Sequence, residues 1–146
     1  MCWNVKTFNQ LTNEELYAIL KLRVDVFVVE QNCPYPELDN FDQQATHLFK
    51  KEADEIIAYS RLIPRGVKFK EASIGRVITK RDQRRTGLGT ELMKKSIEII
   101  NNWERANILI EAQAHLEGFY RNCGFETISE PYILDGIDHI QMIYKQ

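Results

Sequence analysis

The segment from residue 73 to residue 102 constrains the fold of this chain more than any other. A β-branched run, residues 74–79, is followed by a very basic turn, by Gly87 and Gly89, and by an amphipathic helical pattern. Such a unit points free backbone N–H groups and a helix dipole at one spot, which suits a phosphate. Four of the six residues 80–85 are cationic, whereas the whole chain carries a formal net charge of −2. This local excess of positive charge predicts a specific anionic ligand.

The composition excludes several classes of protein. At 146 residues, the chain predicts a single domain spanning residues 1–146. No apolar run approaches the roughly 20 residues of a membrane span, and the first residues lack a secretory signal pattern. Cys2, Cys33 and Cys123 are widely separated, which argues against a disulfide framework and a zinc site. We therefore expect a cytoplasmic protein without a metal, and the near-neutral charge argues against nucleic-acid binding.

The hydrophobic pattern predicts one α/β domain with a mixed sheet. Thr12 and Glu15 have the spacing of a capping box that opens a helix running to about Val29. The other predicted elements are strands at 1–8, 46–51, 56–64, 74–79, 108–110, 125–129 and 139–144, helices at 87–102 and 116–122, and a turn at 131–136.

Residues 30–44 form a loop by composition, with Pro34 and Pro36 on either side of Tyr35. About fifteen residues is long for a connection without regular structure, so we weigh a substrate-contacting role against a plain surface loop. The acidic side chains in this loop favour a cationic acceptor; they are Glu30, Glu37, Asp39 and Asp42.

Three phosphate-binding motifs compete for the glycine turn. A Walker A loop is absent, and a dinucleotide fingerprint would place leucine, Leu92, at its third glycine. Glu111 stands near the acidic ribose-binding position of that second motif, so an oxidoreductase remains an alternative. The third motif is Arg84-x-x-Gly87-x-Gly89, and it is accompanied by a second block, Tyr120-x-x-x-Gly-Phe, in residues 118–125.

With these two blocks the sequence resembles the GNAT superfamily of N-acetyltransferases. The segments 27–34, 45–48 and 113–116 are similar to its ElaA-type branch in particular. Two positions depart from the common pattern: Arg85 stands where the family often has glycine, and Gln113 where asparagine is common.

The resemblance implies an α/β (α+β) fold with a mixed, mostly antiparallel central sheet of about seven strands and about four flanking helices. It implies transfer of the acetyl group of acetyl-CoA to a primary amine by direct attack in a ternary complex. The implied cofactor-binding residues are Val77, Ile78, Thr79, Arg84, Arg85, Thr86, Gly87, Leu88, Gly89, Thr90 and Gln113.

The resemblance also assigns catalytic roles. Tyr120 matches the general acid that protonates the departing thiolate. His139 is the first choice for the general base, because histidine titrates near neutral pH and related enzymes place one at this strand start. His47, His115 and Glu111 acting through water remain alternatives for the base.

A non-catalytic CoA-binding sensor or interaction module is the alternative function. The expected partners are acetyl-CoA and an amine acceptor. The apolar final strand gives a homodimer as a candidate assembly.

Overall fold

The computed structural model describes residues 3–146 as one mixed sheet with helices on both faces. The strands are β1 Trp3–Thr7, β2 Thr46–Glu52, β3 Glu55–Ile63, β4 Ala72–Thr79, β5 Ile108–Gln113, β6 Glu126–Thr127, β7 Tyr132–Leu134 and β8 Ile137–Tyr144. The α-helices are α1 Asn13–Arg23, α2 Leu88–Trp103 and α3 Glu117–Asn122. No helix within residues 3–146 is long and apolar enough to cross a membrane.

The strand order is β1-β2-β3-β4-β5-β8-β6, and β7 pairs with β8. Every pairing is antiparallel except that of β4 with β5. The implied fold is therefore confirmed, with eight strands in place of about seven. The predicted first strand is found from Trp3 onward; its first two residues lie outside the described part of the chain.

The helix α1 begins as its sequence predicts. The Thr12 hydroxyl accepts from the Glu15 N–H at 3.1 Å, and the Glu15 carboxylate accepts from the Thr12 N–H at 2.9 Å. After Arg23 the chain continues as a π-helix, Val24–Glu30. This segment contains four β-branched residues, which crowd a regular helix, and π-helical turns are frequent at functional sites.

Two apolar clusters hold the helices to opposite faces of the sheet. Alternation places Leu48 and Ala58 in the cluster beneath α2, and their neighbours Phe49 and Tyr59 in the cluster with Ile19 of α1. The helix α2 buries one apolar face. The start of α2 is thereby fixed against the middle of the sheet.

The prediction of one turn over residues 131–136 is wrong. This segment contains the strand β7, which forms a hairpin with β8. Asp135 and Gly136 have φ values of +51° and +78°, and an Asp-Gly pair is a strong signal for a two-residue hairpin turn. The strand β8 is also not an edge: β5 lies on one side, and β6 and β7 on the other. A second copy of the chain cannot extend the sheet by pairing with β8.

Candidate active site

The parallel strands β4 and β5 separate partway along their length. They pair only at Ala72–Ile108 and Ser73–Leu109, although β4 continues to Thr79 and β5 to Gln113. The backbone groups that face each other beyond Ser73 are left without a strand partner, which is costly unless water or a ligand occupies the gap. A cavity of about 1010 Å³ opens at this gap.

An irregularity in β4 shapes the wall of this cavity. The register between β3 and β4 shifts between Tyr59 and Arg61, and Arg76 has a φ of +50°. A bulge of this kind re-aims the backbone of the following residues. Val77, Ile78 and Thr79, the strand residues assigned to the cofactor, all line the cavity.

The glycine loop closes one end of the cavity. Arg85 and Gly87 have φ values of +66° and +86°, and Gly87 is the residue that precedes the first turn of α2. The first N–H groups of a helix have no partner inside it, so this turn presents free donors. Arg84, Arg85, Gly87, Gly89 and Thr90 line the cavity.

Two residues of the predicted loop set lie elsewhere. The Thr86 hydroxyl donates to the Gln83 carbonyl at 2.6 Å, and Thr86 does not line the large cavity. The Leu88 side chain is buried in the core beneath α2. Any contribution of these two residues to phosphate binding would come from their backbone.

The two sequence blocks meet in space at the start of α2. A Cβ added to Gly89 would lie 3.3 Å from the ring of Phe119, so a larger residue here would require that ring to shift by a few tenths of an ångström. Phe119 and Tyr120 pack edge to face, with ring centroids 5.1 Å apart. The Tyr120 side chain is thus fixed beside the glycine loop.

Tyr120 is suited to supply a proton. It is buried, it lines the cavity, and no residue of the described chain hydrogen-bonds to its hydroxyl. Burial raises the pKa of Tyr120 above its ordinary range, so the phenol stays protonated at neutral pH.

His139 lies on the opposite wall, where β8 pairs with Gln113 and with Tyr132. Its Nδ1 is 2.8 Å from the Ile137 carbonyl oxygen. Because a carbonyl can only accept, Nδ1 carries the proton of the neutral ring, and Nε2 keeps a free lone pair. The ring also stacks with that of Tyr132, with centroids 6.3 Å apart.

The alternatives for the base are placed differently. Glu111 lines the cavity, and its carboxylate accepts from the Tyr132 hydroxyl at 2.8 Å. His115 lines the cavity but is exposed. His47 is fully buried outside the cavity, between the Tyr59 hydroxyl and the Asp42 carbonyl, and burial lowers its pKa.

The acidic loop does not present free carboxylates for a cationic acceptor. Glu37 and Asp42 are buried and pair with Arg23 at 2.6 and 2.7 Å. Arg61 and Arg76 add further ion pairs to Glu37, Asp39 and Asp42. Three guanidinium groups thus neutralise these three carboxylates, which removes most of the support that the acidic composition of this loop gave to a cationic acceptor. Sequence could not reveal these pairs, because their members are up to 39 residues apart.

The end of the π-helix spans the mouth of the cavity. Glu30 pairs with Arg84 of the glycine loop at 2.8 Å. Gln31 and Gln113 exchange amide hydrogen bonds at 3.3 and 3.2 Å. Cys33 donates to the Asp135 carbonyl at 2.8 Å. Sequence analysis missed this set of contacts. Gln113 was predicted to contact the cofactor, whereas its side-chain amide hydrogen-bonds to that of Gln31.

The comparisons with known proteins agree with this geometry. Residues 9–146 match the acetyltransferase (GNAT) domain family. The ElaA protein of Escherichia coli is 38% identical over 143 residues, which cover 96% of this chain and 94% of ElaA. Its crystal structure superposes with a TM-score of 0.92, at 36% identity, over 99% of this chain and 100% of that one. An acyl-CoA N-acyltransferase of Pseudomonas aeruginosa gives a TM-score of 0.92 at 38% identity, over 98% and 99% of the two chains.

The chain therefore belongs to the GNAT acetyltransferase family, which makes it an acyltransferase that uses a CoA-based cosubstrate. Within that family it falls in the ElaA-like branch. The oxidoreductase alternative is wrong, since the sheet is mostly antiparallel and lacks the doubly wound parallel order of dinucleotide-binding domains.

Proposed function

We propose that this protein transfers the acetyl group of acetyl-CoA to a primary amine of a small molecule or peptide, by direct attack within a ternary complex. One observation carries the proposal. A single cavity is lined by the unpaired part of β4, the glycine loop, Tyr120 and His139. The name of the Pseudomonas relative, an acyl-CoA N-acyltransferase, supports an amine as the acceptor.

The backbone of β4 and the glycine loop would hold the cosubstrate. The loop N–H groups, the start of α2 and Arg85 favour the pyrophosphate, and the free edge of Val77, Ile78 and Thr79 would pair with the amide-bearing arm. Acetyl-CoA supplies the thioester. An N–H of this strand edge would polarise the thioester carbonyl, in the manner of an oxyanion hole.

His139 and Tyr120 would each carry out one of the two proton transfers. His139 would accept the proton that the amine loses as its nitrogen bonds to the carbonyl carbon, through the free lone pair of Nε2. Tyr120 would give its proton to the sulfur as the carbon–sulfur bond breaks. The products are the N-acetyl amine and CoA, and the proton returns from His139 to Tyr120 through solvent.

A transfer assay tests the proposal. The purified protein is incubated with acetyl-CoA and a panel of primary amines, CoA release is followed with a thiol reagent, and products are identified by mass spectrometry. We expect CoA release that depends on the amine, with a matching N-acetyl product. CoA binding without amine-dependent release would instead favour the non-catalytic sensor or interaction module.

Location and assembly are also proposals. We propose a cytoplasmic protein, because its cysteines are few and widely spaced in sequence. If a homodimer forms, it uses a surface other than the backbone of β8, which is paired on both sides.

A further inference from the structure

One part of the cavity lies against the buried ion pairs, and we call it the acceptor end. It is lined by Phe41, Arg61, Lys68, Phe69 and Arg76. Lys68 comes from the loop between β3 and β4, and its Nζ lies 5.5 Å from the ring centre of Phe41 and 5.4 Å from that of Phe69. The charged groups here decide which acceptor fits.

The carboxylate oxygens at the acceptor end are engaged by hydrogen bonds except Oε1 of Glu111, which forms a long ion pair with Lys68 at 3.9 Å. Asp39 Oδ1 accepts from Arg61 and from the Phe41 N–H, and Asp39 Oδ2 accepts from Arg61 and Arg76. Glu111, across the gap on β5, accepts from the Tyr132 hydroxyl. A cationic ligand would have to displace guanidinium groups to reach Asp39.

The donors, in contrast, exceed their partners. Within residues 3–146, Nη1 of Arg76 donates to no residue, and Nζ of Lys68 makes no hydrogen bond and only a long ion pair, at 3.9 Å, with Oε1 of Glu111. Burial lowers the pKa of Lys68, so an anion beside it would recover part of that cost.

We propose that the acceptor amine also carries a carboxylate, and that Lys68 binds this carboxylate at the acceptor end. The inference rests on the proposed function and names its substrate class. A carboxylate only accepts hydrogen bonds, so it fits a site where Lys68 and Arg76 have unused N–H groups and both oxygens of Asp39 are already filled. Phe41 and Phe69 wall the site with apolar surface, which strengthens a charge-assisted hydrogen bond by excluding water.

The same charges assist the reaction. Lys68 and Arg76 would offset the negative charge of the bound carboxylate, which by itself favours the ammonium form of the neighbouring amine. The amine proton goes to His139, the new bond is carbon–nitrogen, and the carbon–sulfur bond breaks with a proton from Tyr120. The carboxylate takes no part in these steps and serves to position the amine.

Matched substrates test the proposal. Phenylalanine, phenylalaninamide and phenethylamine share one side chain and one amine. Phenylalanine carries a carboxylate, phenylalaninamide carries an amide in its place, and phenethylamine carries neither group. With the wild-type protein we expect kcat/KM for phenylalanine to exceed that for the other two by about ten- to hundred-fold, the range of a hydrogen bond to a charged group. Glycine and methylamine form a second pair with less bulk.

Variants of Lys68 locate the effect. Lys68→Met keeps the apolar stem between the two phenylalanine rings and removes the charge. It should raise KM for carboxylated amines about ten-fold or more while kcat for phenethylamine stays near the wild-type value. Lys68→Arg should keep the preference, and Lys70→Met, on an exposed residue of the same loop outside the cavity, should change nothing.

The outcomes separate this inference from the function on which it rests. Transfer to no amine at all would overturn both. Transfer to phenethylamine as efficient as to phenylalanine would overturn the carboxylate alone and leave the N-acetyltransferase in place. An equal loss for all amines in Lys68→Met, in a protein with unchanged thermal unfolding, would show that Lys68 does not bind a carboxylate.

Discussion

The Arg84 guanidinium group donates two hydrogen bonds to the Glu30 carboxylate, from Nη1 to Oε2 at 2.8 Å and from Nη2 to Oε1 at 3.3 Å. Its Nε donates to the Thr79 carbonyl at 3.1 Å. The arginine of the glycine loop thus joins the end of the π-helix to the end of β4. We therefore expect phosphate recognition to depend mainly on the loop amides and on Arg85, with Glu30 placing negative charge beside the loop.

Removing the negative charge of Glu30 should strengthen the binding of CoA. In Glu30→Gln we expect the Kd for CoA, measured by isothermal titration calorimetry, to fall by a few-fold, since a partly exposed charge of this kind contributes about 1 kcal/mol or less. Glu104→Gln is the matched control, because Glu104 pairs with Arg65 at 3.1 Å outside the cavity. Weaker CoA binding in Glu30→Gln would instead show that the pair organises the loop for phosphate.

Tyr120→Phe should separate chemistry from packing. The ring would keep its edge-to-face contacts with Phe119 and Phe125, so the fold and the Kd for CoA should stay unchanged. The phenolic proton is lost, and we expect kcat to fall about ten-fold or more. A wild-type kcat in this variant would remove Tyr120 as the acid.

His139→Ala should lower kcat by about ten-fold or more while acetyl-CoA still binds, because the free Nε2 lone pair is lost. His115→Ala tests the alternative histidine base, which lines the same cavity but is exposed, and we expect its rate to stay near the wild-type value. Steady-state rates should be measured for both variants between about pH 5 and about pH 8, a range that brackets the ordinary pKa of a histidine side chain. Unchanged rates in His139→Ala, with a loss in Glu111→Gln, would transfer the role of base to Glu111.

A substitution that breaks a buried ion pair should lower the free energy of unfolding more than one that breaks an exposed pair. Arg23 has 0% exposure, and Arg23→Met would leave Glu37 and Asp42 buried with one cation fewer. We expect the free energy of unfolding in urea to fall by about 3–5 kcal/mol, the usual cost of breaking a buried pair from one side. Arg65→Met, which breaks an exposed pair with Glu104, should change it by less than about 1 kcal/mol.

Acid should unfold the protein through the same cluster. Burial alone would raise the pKa of Asp39, but hydrogen bonds and the charge of Arg61 outweigh it and hold that pKa at about 2, below the ordinary 3.8. A carboxyl group with a lowered folded-state pKa stabilises the fold above pH 3.8, and this contribution disappears as the pH falls toward 2. This lowering of the Asp39 pKa corresponds to about 2 kcal/mol of the free energy of unfolding.

Urea unfolding at a series of pH values between 7 and about 2 measures this loss. In Asp39→Asn the decline between pH 3.8 and 2 should be shallower than in the wild type. Asp54→Asn, in the exposed turn between β2 and β3, should leave the slope unchanged. An identical slope in wild type and Asp39→Asn would contradict the assignment.

Sequence reasoning worked best where structure depends on near neighbours. The capping box of Thr12 and Glu15 formed as predicted, because its hydrogen bonds span three residues. The glycine turn and α2 also formed at the predicted place, since Gly87 takes a φ of +86° that other residues disfavour. The Asp135-Gly136 hairpin was readable from the same local chemistry but was overlooked.

The candidate site was predictable in its residues more than in its arrangement. Tyr120, His139 and most of the loop and strand residues do line one cavity. The ion pairs of the acidic loop were not predictable, because a carboxylate looks the same in sequence whether it faces solvent or a buried guanidinium. Glu37 and Arg76 are 39 residues apart and meet only after β4 is in place.

The sequence by itself determined the turn chemistry, the helix starts and the two blocks that mark the family, since these depend on backbone preferences of short segments. Only the tertiary structure decided where β4 leaves β5, which acids are neutralised and which cations remain free. Those outcomes depend on contacts between distant segments, formed when burial forces each charge to find a partner. The unused N–H groups of Lys68 and Arg76 are such an outcome, and they are the basis on which we propose an acceptor that carries a carboxylate.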